Sequence, residues 1–163
     1  MTILSMKRAV PALVATALLG FGIPSRAAAD DVAVIVNKSN PISTLTMTQL
    51  RKIVLAQEAK WPGGGKIVVW MTAPGQPERA STLKIVSGMS ETDYTLYFMH
   101  ASFIGDGGEP PRAVGSSAQV RQAIAGAAHG VGFILASQVD DLVKVVAIDG
   151  NRPGQPAYKL KLK

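Results

Sequence analysis

Apolar residues occur along the chain both in continuous runs and at helical spacings. Three runs are apolar at nearly every position: VAVIV (Val32–Val36), KIVVWM (Lys66–Met71) and GVGFIL (Gly130–Leu135). Such runs predict strands that are covered on both faces, as in a parallel sheet. VKVVAI (Val143–Ile148) predicts another strand, and the alternating apolar and basic residues of Tyr158–Lys163 predict an exposed edge strand.

The segments between these runs carry helix start signals. Three polar pairs have the spacing of a helix cap and its partner: Thr46 and Gln49, Ser90 and Asp93, Ser116 and Gln119. A further helix is expected to begin at Pro77 and to end at Gly88. Because strands and helices alternate, the pattern predicts an α/β fold with a mainly parallel sheet flanked by helices.

The first 29 residues have the layout of a secretory signal peptide. Lys7 and Arg8 precede the uncharged stretch Ala9–Ile23, and Ala27–Ala29 offers small residues for cleavage. We therefore expect residues 1–29 to be removed and residues 30–163 to form one periplasmic domain. A membrane anchor is the alternative, although the stretch falls short of the roughly 20 apolar residues that a span needs.

Charge and cysteine content narrow the classes of partner. Cleavage would remove Lys7, Arg8 and Arg26, which leaves 14 of the 17 basic residues against 11 acidic ones, so the net charge falls from +6 to +3. The remaining positive charge is dispersed, which disfavours a nucleic-acid partner but favours small anions. The absence of cysteine excludes disulfides and Cys-ligated metal sites.

The sequence carries no motif of a catalytic or cofactor site. The two histidines, His100 and His129, have no metal-ligand spacing, and there is no GxSxG, Walker or GxGxxG motif. The only paired carboxylates, Asp30–Asp31 and Asp140–Asp141, are adjacent in sequence. We therefore expect a protein that is not an enzyme and that binds neither a cofactor nor a metal.

Three polar loops could bind an anion. An open α/β sheet binds ligands beyond the carboxyl ends of its strands, where helix N-termini favour negative charge. Residues 37–40, 72–79 and 115–117 follow strands or open helices, and Arg79 would supply a charge-assisted contact. The candidate ligand-binding residues are Asn37, Ser39, Thr72, Gln76, Arg79, Ser116 and Ser117. The alternatives are an exposed surface arginine and ordinary helix-capping serines.

Three segments resemble the phosphate-binding proteins of ABC importers, which are type II periplasmic binding proteins. They are VAVIVNKSNPISTLTMTQLRKIVLAQEAKWPGGGKIVV, HGVGFI and VKVVAIDGNRPGQPAYKL, in the same order as in that family. The resemblance covers nearly all of residues 30–163. It implies a periplasmic-binding-protein-like lobe that binds phosphate or a similar oxyanion for ABC-type uptake. It also implies an ABC permease or a second lobe-like partner.

The sequence departs from the family pattern at two points. The chain is about half as long, so it corresponds to the second lobe alone and lacks the lobe that usually brings the first phosphate-binding hydroxyls. The loop MTAPGQPERAST stands where the family has a Ser-Gly-rich stretch. Arg79 matches the final arginine of that stretch, but between the strand and Glu78 there is no acidic residue to accept a hydrogen bond from protonated phosphate.

A second hypothesis is a non-catalytic interaction module derived from a solute-binding lobe. Such a module would dock on a periplasmic or inner-membrane partner through apolar residues such as Trp61, Trp70 or Phe103. Half of a cleft also buries little of a small ligand, so we expect weak binding by the lobe alone.

Overall fold

The computed structural model describes residues 31–105 and 107–162. The expected signal peptide lies outside these residues. The strands are β1 Val32–Asn37, β2 Thr44–Leu45, β3 Val68–Thr72, β4 Arg112–Val114, β5 Gly130–Leu135, β6 Val143–Val145 and β7 Ala147–Ile148. The helices are α1 Met47–Val54, α2 Pro77–Thr82, α3 Glu91–Ile104 and α4 Ser117–Gly126, with a π-helical turn at Leu83–Ser87 and a 3₁₀ turn at Ala136–Gln138. None of the described helices is long and apolar enough to cross a membrane.

The central sheet has five strands in the order β4-β3-β5-β1-β6. β3 is parallel to β4 and β5, whereas β1 is antiparallel to both of its neighbours, β5 and β6. Four of the five strands therefore run in one direction, which confirms the expected mostly parallel α/β sheet. The run VAVIV is fully buried as predicted, but it forms the one reversed strand. A continuous apolar run indicates burial on both faces, and it does not determine strand direction.

Helices cover both faces of this sheet. The larger core cluster includes Leu50 of α1, Leu83 after α2 and Tyr94 of α3. The second cluster lies under α4 and includes Val120 and Ile124. A Cβ atom on Gly132 of β5 would lie 2.7 Å from Val120 and 2.9 Å from Ile124. Glycine at this position therefore allows α4 to pack closely on the sheet.

The helix starts agree with the capping pattern of the sequence. Two of the three predicted boxes are reciprocal, Thr46 with Gln49 at α1 and Ser90 with Asp93 at α3, whereas at α4 only Ser116 caps the helix. Helix α2 begins at Pro77, and the π-helical turn after it ends at Gly88. Gly88 has a φ of 75°, a left-handed conformation that glycine adopts without strain.

The C-terminal segment differs from the predicted edge strand. The described part of Tyr158–Lys163 makes only an isolated bridge between Lys161 and Asp31, while the side chains of Tyr158 and Leu160 are buried. The Tyr158 hydroxyl donates to the Val32 carbonyl oxygen at 2.7 Å, and burial raises the pKa of Tyr158. The apolar positions of the alternating pattern therefore pack into the core and hold the start of β1, because core burial outweighs the pairing of an exposed edge.

Candidate functional site

Strands β3, β4 and β5 end at the same edge of the central sheet. Their last residues, Thr72, Val114 and Leu135, lie there because the strands are parallel neighbours. Helices α2 and α4 begin just beyond this edge, after β3 and β4. We call it the helix-start edge. It is the place where an open α/β sheet binds ligands, since backbone N–H groups of helix first turns are free there.

A buried carboxylate joins the two helix starts. Glu78 of α2 is 4% exposed, and its Oε1 accepts a hydrogen bond of 2.9 Å from the hydroxyl of Ser117, the first residue of α4. The Ser117 hydroxyl in turn accepts from the backbone N–H of Leu135 at 3.3 Å. Sequence reasoning missed Glu78. Its position at the start of a Pro-initiated helix, beside a candidate anion loop, was the available signal.

Thr72 has a buried hydroxyl that is left unpaired. Its side chain is fully buried, and its Oγ1 has no hydrogen-bond partner among the described residues. Thr72 lies two residues after Trp70, which packs on the cluster under α4, so both side chains are on the α4 face of the sheet. An unpaired buried hydroxyl costs about 1–3 kcal/mol. Asn40 and Trp70 also each have a buried side-chain nitrogen without a partner among the described residues, so Thr72 is one of several such groups.

Arg79 is buried and paired. It is 7% exposed, so the alternative of an exposed surface arginine is wrong. Its Nε and Nη2 atoms each donate at 2.8 Å to the carboxylate of Glu91, the first residue of α3. Its Nη1 atom donates to the Thr72 carbonyl oxygen at 3.1 Å. The bidentate pair neutralises the guanidinium and holds the end of β3 against α3.

Gln76 and Ser116 are the accessible polar residues of this edge. Both are exposed, and Gln76 precedes α2 without making a side-chain cap. The Ser116 hydroxyl accepts from the backbone N–H of Gln119 at 3.3 Å, as a cap does. The Gln119 side chain accepts from Gly115 instead of completing the box with Ser116. The helix-start edge thus brings together five of the seven candidates: Thr72, Gln76, Arg79, Ser116 and Ser117.

Asn37 and Ser39 lie at the opposite edge of the sheet from the other five candidates. The expectation that the three polar loops meet at one anion site is therefore wrong for the loop of residues 37–40. Because β1 is reversed, Asn37 pairs with Val143 at the far end of the strands. The Asn37 side-chain amide donates to the carbonyl oxygens of Ile124 and Ala125 at 2.9 and 2.8 Å, and its Oδ1 accepts from Ser39. These contacts are at the C-terminal end of α4, a ten-residue helix about 15 Å long.

Two clefts are formed by described residues away from Thr72 and Ser117. One, of about 270 Å³, includes Lys66 and Glu109, which form an exposed ion pair at 2.6 Å. The other, of about 310 Å³, runs along α3 and includes Arg79. Neither is lined by Thr72, Ser116 or Ser117.

The apolar candidates for an interaction surface have different surroundings. Trp61 is buried and its Nε1 donates to the His129 carbonyl oxygen at 3.0 Å, while Trp70 is half-buried beneath the guanidinium of Arg112. Phe103, in contrast, is 85% exposed.

Within residues 31–105 and 107–162 no group of three or more metal-ligating side chains comes together.

Comparison with known proteins adds evidence from the fold. No protein-family model matches the sequence, and no curated protein matches it. Solved structures do match: a protein described as a phosphate ABC transporter substrate-binding protein from Clostridium perfringens, with bound phosphate, has a TM-score of 0.62 and 26% identity. An ABC-type phosphate transport receptor from Vibrio cholerae has a TM-score of 0.63 and 23% identity, and PstS from Borrelia burgdorferi has 0.65 and 14%.

These matches cover most of this chain but only part of the other proteins. They include 76%, 76% and 82% of this chain, and 47%, 48% and 55% of the three solved chains. The chain therefore spans about half the length of the structures it matches. Its fold is similar to a single lobe of phosphate ABC transporter substrate-binding proteins, which confirms the resemblance seen in the sequence.

Proposed function

We propose that this protein is a periplasmic solute-binding lobe that binds a protonated oxyanion, most simply phosphate, at the helix-start edge. The observation that carries the proposal is the fully buried hydroxyl of Thr72 at that edge, which has no partner within residues 31–105 and 107–162. It stands at the end of the strand that precedes α2, on the side where the ten-residue helix α4 begins. The solved structure from Clostridium perfringens with bound phosphate supports the same ligand class.

Glu78 limits which oxyanion can bind. A buried carboxylate repels a fully deprotonated anion, because little water screens the two charges. An oxyanion that carries a proton can instead donate it to Glu78 as a hydrogen bond. Ser117 would then turn its hydroxyl from Glu78 to an oxygen of the ligand, so every hydrogen bond lost is replaced. Phosphate carries such a proton at neutral pH, and sulfate does not.

The other polar residues have supporting roles in this proposal. Gln76 and Ser116 are exposed and would donate to the outer oxygens of the ligand. Arg79 is committed to Glu91, so it would position the end of β3 and Thr72 and leave no free charge for the ligand. Asn37 and Ser39 take no part, because they lie at the other end of α4.

The family resemblance also suggests where the protein would act and to which partner it would deliver its ligand. The segment of residues 1–29 would direct export, and delivery would be to an ABC-type permease. A single lobe buries little of a small ion, so binding would be weak until a permease or a second lobe covers the site. Mass spectrometry of the protein recovered from the periplasm would show whether the chain begins at Asp30.

Calorimetric titration with phosphate and sulfate tests the ligand class. We expect saturable phosphate binding at millimolar concentrations and no sulfate binding. Ser117→Ala should weaken phosphate binding about tenfold or more, since it removes one hydrogen bond to a charged group. The matched control is Ser39→Ala, which deletes a hydroxyl at the opposite edge and should leave the affinity unchanged. If neither anion binds, or if both alanine variants behave alike, the helix-start edge is not the binding site.

The interaction-module hypothesis remains as a second candidate function because Phe103 is so exposed. This surface lies on α3 and includes none of the helix-start residues. Each function can therefore be tested without disturbing the other.

A further inference from the structure

Helix α3 has an apolar outer face in addition to its buried inner face. On the inner side Tyr94 and Phe98 are buried and their rings meet edge to face at 5.1 Å. The Tyr94 hydroxyl donates to the Val54 carbonyl oxygen, which ties α3 to α1. On the outer side four large apolar side chains are half or more exposed: Leu96 (53%), Met99 (50%), Phe103 (85%) and Ile104 (61%).

The outer residues form a line with a regular spacing. Thr92, Leu96, Met99 and Phe103 follow one another at intervals of four, three and four residues, and all are exposed. At 3.6 residues per turn this line lies half a turn away from Tyr94 and Phe98. We call it the outer stripe of α3. Alternating steps of three and four are the spacing by which one helix packs along another, so the stripe fits a helical partner.

The charges around the stripe allow a second copy of the same helix to approach. Between Thr92 and Ile104 the only carboxylate is Asp93, which is bonded to Ser90 within its capping box, and there is no lysine or arginine. Two copies of the stripe would therefore meet without opposed like charges. A two-fold arrangement places each stripe against itself, which is the commonest symmetry of protein dimers.

The area of the patch agrees with a weak dimer. At these exposed fractions the three apolar side chains of the stripe, Leu96, Met99 and Phe103, present roughly 350 Å² per copy. A symmetric pair would bury roughly 700 Å² from the stripes, which is below the roughly 1,000 Å² of a stable specific interface. The association should therefore be reversible and in the micromolar range or weaker.

We propose that the protein forms a two-fold homodimer in which the outer stripes of α3 pack antiparallel across each other. Met99 lies near the middle of the stripe, so it faces its own counterpart, while Leu96 of each copy meets Phe103 of the other. This dimer is independent of oxyanion binding, since no residue of the stripe belongs to the helix-start edge.

Sedimentation equilibrium of the chain expressed from Met1, as the cell processes it, tests the proposal. We expect a monomer–dimer equilibrium between micromolar and millimolar concentration. Phe103→Glu should raise the dissociation constant roughly tenfold or more, because a buried charge opposes the pairing. The control Leu142→Glu changes another exposed apolar residue (53%) that lies outside the stripe, and it should leave the constant unchanged. A chain that stays monomeric at every concentration, or equal effects of both variants, would overturn the proposal.

Disulfide crosslinking gives a second readout in a chain without cysteine. Under mild oxidation Met99→Cys should form covalent dimers quickly and in proportion to the dimer fraction. Leu142→Cys should form them only at the slow rate of random collision. Similar rates for the two variants would contradict the antiparallel stripe, even if the protein proved dimeric.

Discussion

The two edges of the central sheet use the same kinds of polar residue in different ways. At the opposite edge, both amide hydrogens and the oxygen of Asn37 are hydrogen-bonded within the protein. At the helix-start edge, the Thr72 hydroxyl has no partner among the described residues, and the buried carboxylate of Glu78 accepts a hydrogen bond from Ser117. Next to Asn37, however, the buried side-chain nitrogen of Asn40 also has no partner among the described residues, so the contrast is between Asn37 and Thr72 themselves.

This difference shows what distinguishes a candidate binding residue from a structural one. Both edges have an amide or a hydroxyl at the end of a strand, so residue type alone does not separate them. Unused hydrogen-bonding capacity does separate Thr72 from Asn37, because a buried polar group without a partner is costly. Substitutions at Arg79, Asn37 and Thr72 test whether the two edges differ in this way.

The largest effect is expected at Arg79. Arg79→Ala should lower the free energy of unfolding by about 2–3 kcal/mol, because it leaves Glu91 half-buried without its bidentate partner and frees the Thr72 carbonyl. Urea denaturation measures the change. Arg51→Ala removes an exposed arginine from α1 and should change stability by less than about 0.5 kcal/mol. An equally small effect of Arg79→Ala would show that the ion pair does not build the helix-start edge.

The next largest effect is expected at Asn37. Asn37→Asp should cost about 2 kcal/mol, since a carboxylate would face the carbonyl oxygens of Ile124 and Ala125 at the negative end of α4. Phosphate affinity should stay the same, because the change is at the opposite edge. Denaturation and calorimetry on one preparation measure both quantities. Loss of phosphate affinity with normal stability would mean that the two edges have been assigned the wrong way round.

The smallest change in stability, and the most specific one, is expected at Thr72. Thr72→Val should leave the free energy of unfolding unchanged or raise it by about 1 kcal/mol, because it removes an unpaired buried hydroxyl. It should also weaken phosphate binding. Thr82→Val is the matched control: Thr82 is equally buried, but its hydroxyl donates to the Glu78 carbonyl oxygen at 2.7 Å, so its loss should destabilise by about 1 kcal/mol. If both valine variants lose stability alike, Thr72 has a structural partner.

Local features of this protein could be predicted from its sequence. The capping boxes at Thr46 and Ser90, the Pro77 start of α2 and the bounds of β5 were confirmed. These features depend on residues within a few positions of each other, so the neighbouring sequence is sufficient to specify them. The family resemblance likewise rested on local motifs, and the fold bears it out.

Contacts between distant segments of the chain could not be predicted from its sequence. The direction of β1, the burial of Tyr158, and the contact of Asn37 with Ile124, 87 positions away, depend on which segments pair across the sheet. The same holds for the Ser117–Glu78 contact, which spans 39 positions. A pattern of apolar and polar residues determines which side chains are buried. It does not determine which of several buried neighbours satisfies a polar group, because that choice is set by the packing of the whole chain.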